Sequence, residues 1–144
     1  MKRKIFLAAL LCLTLPIMIG SIHAQKLKLS SGQSICIVGN TLADRMQHDG
    51  FLEAMLQYRH PGKQITIRNM GFSADELNVR LRSANFGSQE TWLTKHKADI
   101  IFAMFGYNES FAGPDGVPAF EEKLTKFVKD LQELKYPVST YKRG

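Results

Sequence analysis

Ile35-Cys36-Ile37-Val38-Gly39-Asn40-Thr41-Leu42 is a short apolar run closed by a glycine, an amide and a hydroxyl residue. An unbroken apolar run of this length marks a strand buried on both faces of a parallel sheet, whereas a strand with one wet face alternates. The pattern recurs twice. Ile65-Thr66-Ile67-Arg68 leads into Asn69-Met70-Gly71, and Ile100-Ile101-Phe102-Ala103-Met104-Phe105 leads into Gly106-Tyr107-Asn108-Glu109. In an open α/β sheet, the loops leaving the carboxyl ends of neighbouring strands converge on one crevice, where ligands bind. Small residues and amides placed there describe a polar site on a rigid apolar scaffold.

The segments between these runs read as helices. Residues 43–59 read as one helix, with Phe51, Leu52, Met55 and Leu56 on a single stripe. His60-Pro61-Gly62 stops it, and Gly50 is its weak point. Ser73-Ala74-Asp75-Glu76 has the form of a capping box, which predicts a second helix carrying Leu77 and Leu81. Residues 88–97 form a further helical stretch with Trp92 and Leu93, and residues 100–105, the most apolar segment beyond the leader, should form a central strand. In the last helix Pro118 lies in the first turn, where a missing N–H costs little. Phe120, Leu124, Phe127, Val128, Leu131 and Leu134 share one of its faces, with Glu121 and Glu122 early and Lys129 and Lys135 late. Strands alternating with helices predict an α/β fold, a three-layer flavodoxin-like parallel sheet. Such a helix should feed a fourth strand, yet residues 136–141 offer only a stub at Val138. The sheet is therefore expected to be incomplete at the C-terminus, with an open edge near the third strand.

The first residues carry a different message. Met1-Lys2-Arg3-Lys4 is a cationic start, residues 5–20 are apolar and uncharged, and Ala24 precedes Gln25. Residues 1–24 read as a cleaved signal peptide, which predicts a secreted or periplasmic protein with no stable membrane insertion after cleavage. Losing Lys2, Arg3 and Lys4 takes the net charge from +6 to +3. The remaining positive charge, including Arg80, Arg82, Lys95, Lys97, Lys123 and Lys126, is interleaved with Asp and Glu. That reads as solvated surface, not as a nucleic-acid footprint. Cys36 alone remains after the leader, so no internal disulfide forms, and its place in an apolar run makes it a small core residue. No histidine pair has metal-ligand spacing, and nothing calls for a cofactor.

The three blocks in this order resemble the SGNH (GDSL-type) hydrolases, whose blocks read G-D-S-L, N-x-G and G-x-N-D. The resemblance spans roughly residues 34–135, making residues 25–144 a partial SGNH hydrolase-like domain. Residues 39–50 and 105–113 look closer still to SGNH-like segments of large secreted bacterial proteins that carry c-type haem or sugar-dehydrogenase-like modules. The resemblance implies an esterase acting on a small-molecule or glycan ester. Thr41 stands at the nucleophile position, and the Gly71 N–H and the Asn108 side-chain amide stand at the oxyanion-hole positions. Asn40, Asn69, Tyr107 and Glu109 are the neighbouring candidates for substrate binding. The chain departs from the pattern at four points. Thr41 replaces serine, Asn40 replaces aspartate, Glu109 replaces aspartate, and no D-x-x-H block follows, since His96 is the last histidine.

Each of these residues also has a plainer reading. Thr41 would cap the following helix, Gly71 would serve a turn, and Asn108 would satisfy loop backbone. His48, His60 and His96 lie at helix ends or on helix surfaces. A base in the style of a Ser-His-Asp relay would require His48 in an unfamiliar role. Low or absent turnover is therefore expected. The alternatives are a non-catalytic module binding a carbohydrate or acylated glycan, and a truncated fragment without independent function.

Overall fold

The computed structural model describes residues 27–80 and 83–133. The predicted signal peptide, Leu81, Arg82, Leu134, Lys135 and the stub near Val138 lie outside them. Strand β1 (Ser34–Gly39) is followed by helices α1 (Thr41–Asp49) and α2 (Phe51–Arg59), then β2 (Thr66–Asn69). Short helices α3 (Ser83–Phe86) and α4 (Gln89–Lys95) lead to β3 (Ile100–Met104). Two 3-10 turns, Glu109–Ala112 and Pro114–Gly116, precede α5 (Val117–Glu133).

All three strands are parallel, in the order β2-β1-β3. The chain thus steps from β1 to one side and then back across it to the other. That reversal defines a switch point between the carboxyl ends of β1 and β3, the place where open α/β sheets hold ligands. The continuous apolar run has its physical reason here, because β1 is covered on both faces. Cys36 and Val38 pack with Leu77, Leu93, Phe127 and Leu131 under α4 and α5. Ile35 packs with Leu56, Ile65 and Ile100 under α2. Helix, sheet and helix make the three layers expected of a flavodoxin-like arrangement, and the buried Cys36 belongs to the core. Burial also pushes its thiol pKa up, so it stays protonated and inert.

Three expectations need correction. The helix over residues 43–59 is two helices. Gly50 adopts a left-handed conformation (φ 65°) that ends α1, donates its N–H to the Met46 carbonyl and starts α2. The capping-box sequence starts no helix. Ala74 is left-handed (φ 70°), and the Ser73 hydroxyl donates to Asp44 Oδ2 at 2.5 Å. Tertiary contact won over local propensity there. Finally, β1 and not β3 is central among the described residues, and β3 pairs only with β1, its outer residues half-buried.

The bond from Ser73 also holds the Asp44 carboxyl below the usual carboxylate range, with Gln47 adding to it. A depressed folded-state pKa contributes stability that is present above the unfolded value, about 4, and is lost as pH falls through the folded one. Ser73→Ala is expected to return the Asp44 titration toward the ordinary range and to flatten that acid-side loss. Titration of the Asp44 carboxyl carbon by NMR checks it, and an unmoved midpoint would contradict the assignment.

Candidate functional site

Parallel pairing sends the ends of all three strands to the same edge of the sheet, and the motif residues leave from those ends. At the β1 exit, Gly39 has φ 151° and lies against Met104 at the end of β3. The Asn40 N–H donates to the Met104 carbonyl at 3.2 Å, tying the first block to the third. Asn40 is 1% exposed, and its Oδ1 accepts from the Leu42 N–H at 3.4 Å. Asn40, not Thr41, therefore caps α1. Thr41 is the first helical residue, half-buried, at the positive end of the helix dipole.

The second block is braced against the first. A Cβ on Gly71 would sit 2.4 Å from the Ala43 Cβ and 2.8 Å from the Asp44 N, so only glycine lets this loop approach the first turn of α1. Asn69 spans the contact. Its Nδ2 donates to the Ala43 carbonyl at 2.7 Å, and its Oδ1 accepts the Gly71 N–H at 2.9 Å. The Phe72 N–H donates to the Gly39 carbonyl at 3.0 Å.

The third block reaches the second. The half-buried Asn108 donates through Nδ2 to the Ala74 carbonyl at a long 3.4 Å. Glu109 accepts from the Gly106 N–H at 3.0 Å through Oε2 and from the Leu77 N–H at 3.3 Å through Oε1. Its carboxylate holds two loops together. Tyr107 is exposed and stands edge-on to Phe111.

These bonds tie the three loops together at one edge of the sheet. Of the candidates, Thr41 and Asn108 are half-buried and Tyr107 is exposed, Asn69 and Glu109 are occupied by backbone, and Asn40 is engaged only through Oδ1, its buried Nδ2 having no partner. The Gly71 N–H is also engaged, so it serves an oxyanion only by sharing with, or leaving, Asn69. His48 is exposed on the last turn of α1, seven residues from Thr41, or about 10 Å along the axis. It is out of reach of the Thr41 hydroxyl. Among the described residues, no three His, Cys, Asp or Glu side chains gather as a metal site. No described helix is long and apolar enough to cross a membrane.

Sequence reasoning missed Arg80, Gln89 and Trp92. They line a cavity beside Gly71 whose walls come from the β2 exit and from α4. Arg80 was expected on the surface, but its side chain is 14% exposed, with the guanidinium over the rings of Phe105 and Phe127. An arginine five residues after an aspartate and beside an apolar leucine carried no distinguishing signal in the sequence.

No family model matches the chain, and no curated protein sequence does. Solved structures do. A catalytic mutant of an acetylxylan esterase from Geobacillus stearothermophilus is similar with a TM-score of 0.54 and 19% identity, over 78% of this chain and 60% of that one. An alpha/beta hydrolase enzyme from the metagenome of Lake Arreo, Spain, matches with a TM-score of 0.54 and 18% identity, over 74% of this chain and 58% of the other. The chain thus spans about three-fifths of the length of these proteins. At such identities the likeness establishes architecture and not chemistry. Over its described residues the chain shares the three-layer α/β architecture of these proteins.

Proposed function

We propose that this chain is a secreted or periplasmic ester hydrolase domain of the SGNH type, acting slowly on a small-molecule or glycan ester. The observation that supports the reading is that the blocks carrying Thr41, Gly71 and Asn108 leave the same edge of the parallel sheet and are tied to one another through Asn69, the Asn40–Met104 bond and the Asn108–Ala74 bond. The Thr41 hydroxyl attacks the ester carbonyl, forming an acyl-threonine and releasing the alcohol. The negative charge that develops on the carbonyl oxygen lies at the N-terminus of α1, within reach of donors aimed at one small volume. Asn108 gives up little to serve it, because its present bond is long.

Slow turnover follows from the same geometry. His48, the histidine on α1, lies too far along the helix to take the Thr41 proton, and the threonine methyl crowds the attack. Incubation with 4-nitrophenyl acetate followed by peptide mapping tests the reading. One acetyl group on Thr41 is expected, with its hydrolysis slower than its formation. Acetyl groups on lysines alone would sink it. The second reading is a non-catalytic binder of acylated glycans. It is favoured by the engaged Gly71 N–H, which leaves one oxyanion donor committed to Asn69. Glycan-ester binding without acylation would select it.

A further inference from the structure

The free side of β3 follows from the pairing of its other side. The carbonyls of Gln33, Ile37 and Gly39 accept the N–H groups of Thr66, Met70 and Phe72, on the β2 side of β1. In a ladder the polar groups of one strand residue point to one neighbour and those of the next residue to the other. Cys36 and Val38 therefore bond toward β3. The register sets Ile37 beside Phe102 and Gly39 beside Met104, whose carbonyl takes the Asn40 N–H. Ile100, Phe102 and Met104 thus face β1. Ile101 and Ala103 turn their N–H and C=O groups outward, where no described strand lies.

This edge lacks the usual guards against pairing. Residues Ile100–Met104 include no charge and no proline, and Ala103 is exposed with only a methyl group. The helix above the edge is equally bare on that side. Lys123, Lys126 and Asp130 line a groove with Leu77, Arg80 and Glu90, over the interior of the sheet. At about 100° per residue, Leu124, Thr125, Val128 and Gln132 fall on the opposite flank, beyond β3. All four are uncharged, so a second flank of the same kind approaches without like-charge repulsion.

The outward groups are also self-complementary. Ile101 and Ala103 lie symmetrically about Phe102. A two-fold axis through Phe102, perpendicular to the sheet, sets Ile101 of one copy opposite Ala103 of the other, in antiparallel pairing. Each N–H then meets a C=O, and no outward group of β3 is left over. The two Phe102 rings fall opposite each other on one face, an aromatic cross-strand pair.

We propose that the free edge of β3 is a homodimer interface, where two copies join their three-stranded sheets into one of six strands. This inference is independent of the hydrolase reading, since it uses neither Thr41 nor its neighbours.

Size-exclusion chromatography with light scattering, over a wide range of concentration, tests it on the purified chain. The mass should rise to twice that of one chain and no further. Ala103→Pro removes an outward N–H and no bond to β1, so it should weaken the dimer at least about ten-fold with unchanged circular dichroism. Ala103→Lys, which charges the edge, should do the same and serves if the proline variant misfolds. Phe102→Cys should cross-link the copies on oxidation, because opposed residues at such a position lie about 4.5 Å apart at Cα. A monomer at every concentration, assembly beyond two copies, a dimer unmoved by both Ala103 variants, or a dimer that Phe102→Cys fails to cross-link would each overturn the proposal. So would a monomer that dimerises only when residues 134–144 are removed, which would give the edge to that segment.

Discussion

Gly39→Ala is expected to destabilise the domain by roughly 3–5 kcal/mol, combining overpacking with backbone strain. The added Cβ would sit 2.3 Å from the Met104 carbonyl oxygen and 2.8 Å from its carbon, and both are backbone atoms in a paired strand. Neither moves without parting β1 from β3. The φ of 151° adds a conformation that side chains rarely adopt. Because small domains carry about 5–15 kcal/mol in all, the loss is a large share of the total. Urea unfolding followed by Trp92 fluorescence measures it. An unchanged midpoint would mean that the two strand ends are not in the contact described. The same substitution disturbs the site, since the Asn40 N–H bonds to that carbonyl.

Asn108→Ala carries the largest expected effect on chemistry. Removing one preorganised oxyanion donor typically costs about 10²–10³ in rate. Acetylation of Thr41 by 4-nitrophenyl acetate should slow by roughly that factor. Stability should fall by less than about 1 kcal/mol, because the lost bond to Ala74 is long and partly wet. The split between the two readouts distinguishes a donor to the transition state from a loop brace. A melting temperature that collapses while the acetylation rate of the folded fraction stays constant would assign Asn108 to the brace. The Gly71 N–H already donates to Asn69, so it adds little to what Asn108 supplies.

Much of the fold was legible because burial on both faces leaves a strong mark. Residues 35–38, 65–68 and 100–105 each overlap an observed strand, differing by a residue or so at the ends. The amphipathic stripe of α5 likewise puts Phe127 and Leu131 in the core. What failed did so where local pattern competed with distant contacts. Ser73 had a suitable partner at Glu76 in the sequence, but Asp44, twenty-nine residues away, took its hydroxyl. Gly50 was visible as a weak point, yet the left-handed turn that splits the helix depends on geometry at both sides of it. The three blocks could be placed on one edge of the sheet because each follows the end of a parallel strand. Nothing in the spacing disclosed that Glu109 clamps two loops or that the Gly71 N–H is occupied. Arg80 and Gln89 were invisible, since a place in a cavity wall is a property of packing and not of sequence.

Asn69 has a consequence of a different kind, for how such a motif persists over time. Its side chain uses a donor toward Ala43 and an acceptor toward Gly71, on a stem just long enough to serve both. Aspartate lacks the donor, and glutamine is one carbon too long for the same turn. The glycine two residues on is fixed by its contact with Ala43. Drift away from N-x-G is therefore penalised by architecture, whether or not any ester is ever cleaved. The presence of this block therefore records loop geometry, and says nothing by itself about activity.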